Sequence, residues 1–196
     1  SHVQHFPTMV KAIVRSGVPV AMHIFSDGRD VPPKSVLEYL AWFEGELSGV
    51  GGVRLATVCG RYFTMDRDQR WERVSKGYAA IVEAKGVQAN DARAAIENAY
   101  ARGETDEFIE PTVLAGYRGM HDGDGVLMLN FRADRAREIL SAIVEPKFDG
   151  FARAKTVQLA SAAGMTEYSD ALSKRLLTLF PQERLTHTMG EILSRA

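Results

Sequence analysis

Three short apolar runs, residues 18–25, 53–58 and 126–131, are rich in β-branched side chains, and each leads through a charged loop into a stretch with helical periodicity. This alternation constrains the chain more than any other feature, because a strand followed repeatedly by an amphipathic helix buries both only in a layered α/β arrangement. Helical stripes run through Phe6, Met9, Val10, Ile13 and Val14, and through Val36, Leu37, Leu40, Phe43 and Leu47. Others fall on Trp71, Val74, Tyr78, Ile81 and Val82 and across residues 132–144. Gly17 is a natural stop for the first, and Asn90 a candidate cap for a helix running to Ala101. Residues 155–161 read as a further strand, 105–112 as an extended excursion, 169–180 as helical, and the last residues as one more helix. The expected fold is a three-layer helix/sheet/helix domain over residues 1–196 with a largely parallel or mixed central sheet.

With 196 residues, 45% of them hydrophobic, the chain has the apolar material for one large core. Its formal charge of −1 gives no net pull towards nucleic acid or an anionic membrane, so an anion site has to come from local clustering of cations. The single cysteine, Cys59, rules out an internal disulfide and suits a reducing, cytoplasmic setting. The apolar runs are far shorter than the roughly 20 residues of a membrane helix, and no signal-peptide pattern stands at the start. The chain has no initiating Met and stops at Ile192-Leu193-Ser194-Arg195-Ala196, inside an expected helix, as a segment taken from a longer polypeptide would.

The three apolar runs end alike. The first is followed by Asp27, Arg29 and Asp30, the second by Arg61, Asp66 and Arg67, the third by Arg132, Asp134 and Arg135. In a parallel sheet such ends lie along one edge, where α/β proteins bind their ligands. Five guanidiniums would then converge although far apart in sequence. Each offers a planar fork matching carboxylate or phosphate. Arg132 and Arg135 also stand three residues apart at a helix start, where free N–H groups favour an anion. The ligand this pattern calls for is small and multiply anionic. Asp27, Asp30, Asp66, Asp68 and Asp134 offset the like charges. Asp30, held ionised beside arginines, is placed to accept hydrogen bonds from hydroxyls and to act as a weak general base.

Blander readings stand beside these. Asp27 and Gly28 are ordinary turn formers. Arg70 and Arg73 read as a solvated helix face with weak ion pairs. His2 and His5 sit one helical turn apart without a partner cluster, so no metal site is expected from the histidines. Cys59 reads as a small buried hydrophobe, and Trp42, Phe43, Trp71 and Tyr78 as core. The residues alone lead to an anion-binding α/β domain.

Longer motifs at these strand ends carry a resemblance. His23-Ile-Phe-Ser-Asp-Gly-Arg-Asp-Val-Pro-Pro33 resembles HxFxDGRDxPP of cofactor-independent phosphoglycerate mutases. Gly60-Arg-Tyr-Phe-Thr-Met-Asp-Arg-Asp-Gln-Arg-Trp-Glu-Arg-Val74 is similar to that family's GRYYAMDRDxRWxRV. Thr105-Asp-Glu-Phe-Ile-Glu-Pro-Thr112 is similar to TDEFxxPT, and residues 122–137 to DGDxVxxxNFRxDRAR. Gly164-Met-Thr-Glu-Tyr168 and residues 188–194 resemble GMTxY and TxGExLS.

The resemblance implies an isomerase of glycolysis and gluconeogenesis that interconverts 3- and 2-phosphoglycerate with two domains. One is phosphatase-like, of the alkaline phosphatase superfamily, with two Mn²⁺ (or Mg²⁺) ions and a serine that takes the phosphoryl group. The other, which this chain resembles, holds the glycerate and binds no metal or other cofactor itself. Carried over by motif, the substrate-binding residues are Arg29, Asp30, Arg61, Arg67, Arg132 and Arg135, with Asp30 the catalytic one. Asp30 would grip the hydroxyls, Arg132 and Arg135 would stabilise phosphoryl charge, and the other arginines would anchor the acid. The partners implied are the phosphoglycerates and the phosphatase domain of the same polypeptide. The family's GGVHSH histidine falls before Ser1, and its linker lysine after Ala196. The chain alone is therefore expected to be inactive. The competing reading is a stand-alone anion-binding or interaction module.

Overall fold

The computed structural model describes residues 3–181 and 194. Helix α1 (His5–Arg15) leads into strand β1 (Val20–Ser26), then α2 (Val36–Glu46) and β2 (Val53–Gly60). A single turn α3 (Arg61–Thr64) follows directly, then α4 (Trp71–Glu83), β3 (Val87–Ala89) and α5 (Ala92–Ala101). A short 3-10 turn at Asp106–Phe108 precedes β4 (Thr112–Leu114), β5 (Gly125–Met128) and α6 (Ala133–Val144). The described chain closes with β6 (Ser161–Gly164), α7 (Asp170–Ser173) and β7 (Leu177–Thr178).

The α/β layering is as expected, but the strands divide between two sheets. One has the order β1-β2-β4-β3, the other β5-β6-β7. The first is mixed, because β2 and β4 run antiparallel while β1/β2 and β3/β4 run parallel. The second is parallel throughout. Strands β3 and β4, three residues each, are too short for a period-2 signal in the sequence. Most of the strand expected at 155–161 is irregular chain; pairing begins at Ser161. Residues 169–180 hold only a four-residue helix and a two-residue strand. Asp91 rather than Asn90 caps α5, its carboxylate accepting from the Ala94 N–H at 2.8 Å. The expected C-terminal helix falls almost wholly outside the described residues.

Two apolar clusters fix the layers. Val36, Leu40, Val58, Ile96, Ile109 and Leu114 pack α2 and α5 onto the first sheet. Val74, Tyr78, Ile81, Met120 and Ile139 clamp α4 against α6. Phe25 of β1 and Val126 and Met128 of β5 pack on that same cluster, so one core joins the edges of both sheets. Cys59 is fully buried and burial pushes its thiol up to about 12, as suits a packing residue. Trp42, expected in the core, lies at the surface with 36% of its area exposed. Among the described residues no helix is long and apolar enough to cross a membrane.

Candidate anion-binding crevice

The parallel register of β1 and β2 sets Ser26 level with Gly60, so the loop after one and the helical turn after the other leave the sheet side by side. Two glycines let a third segment wedge against both. A Cβ on Gly60 would stand 2.3 Å from the Glu107 carbonyl oxygen and 2.7 Å from the Ile109 nitrogen. One on Gly28, whose φ is +63°, would stand 2.7 Å from the Asp106 Cβ. Asp106, 1% exposed, ties this wedge down: its Oδ2 accepts from the N–H groups of Ser35 and Val36 at 2.8 and 3.0 Å, and the Tyr100 hydroxyl donates to its other oxygen. The segment read as an extended excursion is thus a packed bracket at the strand ends.

From this frame the charged side chains meet. Asp27 Oδ1 accepts from the N–H groups of Arg29 and Asp30, both at 3.1 Å, so it does shape the turn. The same oxygen also accepts from Arg61 Nη1 at 2.5 Å. Arg61, its side chain 3% exposed, reaches Asp30 Oδ2 as well, at 3.0 Å. Arg132 Nη1 meets that oxygen from the other side at 2.7 Å. Hydrogen bonds from Arg61 and then Arg132 hold the Asp30 carboxyl below the usual carboxylate range. Burial alone would weaken the Arg61 cation, but Asp27 and Asp30 outweigh it and raise its pKa. Arg67 Nη1 donates to Asp134 Oδ2 at 2.8 Å, and Arg29 lies 3.7 Å from Glu107.

Arg135 is different. Its Nη1 donates to the Met65 carbonyl at 3.0 Å, while its Nε is buried with no hydrogen-bond partner among the described residues. Burial, then the nearby Arg67 and Arg61 charges, pull its pKa down. A buried N–H without an acceptor, in a field of like charges, is costly, and an oxyanion is the kind of group that relieves both.

Arg29, Arg61, Arg67 and Arg135 line one crevice of about 360 Å³ together with Arg70 and Arg73. The acids lining it, among the described residues, are Asp66, Asp68 and Glu107, so cations are in excess. Arg132 stands at its margin, joined through Asp30 to Arg61 and 3.8 Å from Asp134 through its Nε. Of the expected solvated face, Arg70 keeps an exposed pair with Asp68 at 2.5 Å. Arg73 turns inward, its guanidinium 3.9 Å above the Tyr62 ring and 3.7 Å from Asp66.

Sequence reasoning passed over several supports. Tyr168, 1% exposed, donates from its hydroxyl to the Asn130 carbonyl at 2.7 Å, and the Asn130 side chain accepts from the Arg132 N–H at 2.9 Å. The 164–168 motif therefore braces the loop carrying Arg132. Glu107, Tyr62 and Glu138 were likewise missed. Glu107 was visible in its motif, but a lone acid in a turn carries no signal of its own. No group of three His, Cys, Asp or Glu side chains among the described residues is placed to hold a metal ion, so donors for the metal pair implied by the resemblance are not found among them.

Comparison with known proteins places the chain. The family described as BPG-independent PGAM N-terminus matches residues 1–170. The 2,3-bisphosphoglycerate-independent phosphoglycerate mutase of Paracoccus denitrificans is 48% identical over 96% of this chain but only 37% of its own length. That of Gluconobacter oxydans is 44% identical over 100% of this chain and 38% of its own. A crystal structure of Leishmania mexicana phosphoglycerate mutase at low cobalt concentration superimposes with a TM-score of 0.87 at 29% identity, over 98% of this chain and 37% of that one. The chain thus spans little more than a third of the relatives it matches, and by its sequence and fold it belongs to the family of the 2,3-bisphosphoglycerate-independent phosphoglycerate mutase N-terminal region.

Proposed function

We propose that this chain is the glycerate-holding domain of a phosphoglycerate mutase that interconverts 3- and 2-phosphoglycerate, the phosphoryl group resting meanwhile on a serine of a phosphatase-like domain outside these residues. The carrying observation is Arg135, whose buried Nε has no acceptor among the described residues while Arg61 and Arg67 add positive charge around it. An oxyanion entering the crevice supplies that acceptor and neutralises the excess.

In this reading Arg29, Arg61 and Arg67 anchor the carboxylate end of the acid, and Arg132 and Arg135 face the phosphoryl group and stabilise charge as it is transferred. Asp30, ionised between Arg61 and Arg132, accepts from the glycerate hydroxyls and takes the proton of whichever one attacks. The metal chemistry belongs to the other domain, as does the nucleophile. Phosphoryl transfer therefore requires the longer protein.

Calorimetric titration of 3-phosphoglycerate into the full-length protein and into this chain tests the reading. Binding by both, weaker in the chain and lost on Arg135→Met, is the expected result. Binding by the full-length protein that ignores both Arg135→Met and Asp30→Asn overturns it.

A further inference from the structure

At the crevice wall one loop is held by two acids, Asp66, which lines the crevice, and Glu138 of α6. Asp66 and Glu138 are 4% and 8% exposed, and both accept from backbone N–H groups of the same 66–70 loop. Their surroundings differ. Asp66 Oδ1 accepts from the N–H groups of Asp68 and Arg70, both at 3.0 Å, and its Oδ2 faces Arg70 at 3.3 Å and Arg73 at 3.7 Å. Glu138 has one donor, the Gln69 N–H, 2.8 Å from its Oε1. Its Oε2 is buried and has no partner among the described residues. Of two buried carboxylates, one richly supplied with donors and the other poorly, the poorly solvated one holds a proton more readily. A hydrogen on Glu138 Oε2 also turns the orphaned buried acceptor into a donor.

We propose that Glu138 and Asp66 share one proton, with Glu138 as the carboxylic acid, and that this acid pair fixes the 66–70 loop from which Arg67 enters the crevice. Glu138 grips the loop at Gln69, a residue held at φ +58°, and Asp66 gathers the N–H groups on either side of it. The charged groups around the pair are Asp68 and Arg70 on the loop side, Arg73 on α4, and Arg135 one turn back on α6. Burial first, and then the Asp66 charge, lift the Glu138 carboxyl to about 6, in keeping with the assignment. Loss of the proton sets two buried negative charges against each other and loosens the loop. An anion in the crevice disfavours that loss, so anion binding takes up a proton near neutrality. Glu138 is thus a positioning residue for Arg67, and its effect on binding rests on the crevice being the anion site.

The test uses the full-length protein with its glutamate carboxyl carbons labelled. In carbon NMR, the signal missing from Glu138→Gln is expected to titrate near 6 and to move towards the ordinary glutamate range in Asp66→Asn. A missing signal that titrates in the ordinary range overturns the shared proton. For binding, the ratio of wild-type to Glu138→Gln dissociation constants for 3-phosphoglycerate cancels the ligand's own titration. It is expected to rise several-fold from about pH 5.5 to about pH 8, because the amide keeps both hydrogen bonds at every pH. Glu138→Ala, which keeps neither, weakens binding throughout. A flat ratio overturns the positioning role. Absence of 3-phosphoglycerate binding in all variants overturns the reading of the crevice instead, and the NMR titration still decides the proton.

Discussion

Arg132 and Asp30, 102 positions apart in the chain, meet at 2.7 Å between Nη1 and Oδ2. The contact joins the loop after β1 in one sheet to the loop after β5 in the other, and Arg61 closes on the same carboxylate oxygen at 3.0 Å. A carboxylate flanked by two guanidiniums remains a proton acceptor only as long as it stays ionised, and both bonds favour that form.

On the proposed reading, Asp30→Asn in the full-length protein is expected to lower interconversion of the two phosphoglycerates by about 10²-fold or more, since the amide cannot take a proton. Phosphoserine formation, followed by rapid quench, falls much less. Equal loss in both steps removes Asp30 from the handling of the hydroxyls.

Arg135→Met is expected to separate stability from binding. The thioether needs no acceptor and carries no charge, which offsets the lost hydrogen bond to the Met65 carbonyl, so stability changes by less than about 1 kcal/mol. Affinity for 3-phosphoglycerate drops at least about tenfold, as befits a lost charge-assisted hydrogen bond. Thermal unfolding and calorimetry on the same samples check both halves.

Gly60→Ala puts a methyl into the backbone of the 107–109 segment, which has no flexible end to give way. A cost of about 3 kcal/mol is expected, together with weakened binding because Arg61 starts at the next residue. Urea unfolding that shows less than about 1 kcal/mol would mean the wedge is looser than its contacts imply.

His23 should set the acid side of the stability profile. Burial first, then Arg54, lower its pKa to about 4, and its Nδ1 stands 2.9 Å from the Thr57 hydroxyl. Between about 4 and 6.5 the unfolded chain binds this proton and the folded one does not, so stability rises with pH across that window, by roughly 3 kcal/mol. Glu138 acts with the opposite sign, its raised pKa making stability fall as pH climbs towards about 6. His23→Asn is expected to flatten the acid side of the unfolding profile, and an unchanged slope refutes the assignment.

The layered fold was legible because its evidence is local. Runs of β-branched residues and helical stripes at α1, α2, α4 and α6 state their periodicity within a dozen residues, and burial follows that pattern. Short strands such as β4 escaped, since their stability comes from the neighbours they pair with and not from their own three residues. The split into two sheets escaped for the same reason.

The arginines were identifiable from their recurrence after apolar runs, as was Asp30 among them. Their partners were not. That Asp27 serves both a turn and Arg61, that Arg73 stacks inward on Tyr62, and that Arg135 is left with a buried unmet N–H are outcomes of how α3, α4 and α6 pack against one another. Glu138 shows the division most plainly. In the chain it is one more acid on an amphipathic helix, and only burial near the Asp66 charge lifts its pKa to about 6. Sequence determines which groups a chain can bring, because periodicity and turn chemistry are short-ranged. Solvation and charge pairing depend on atoms from distant segments, so the tertiary structure decides what those groups become.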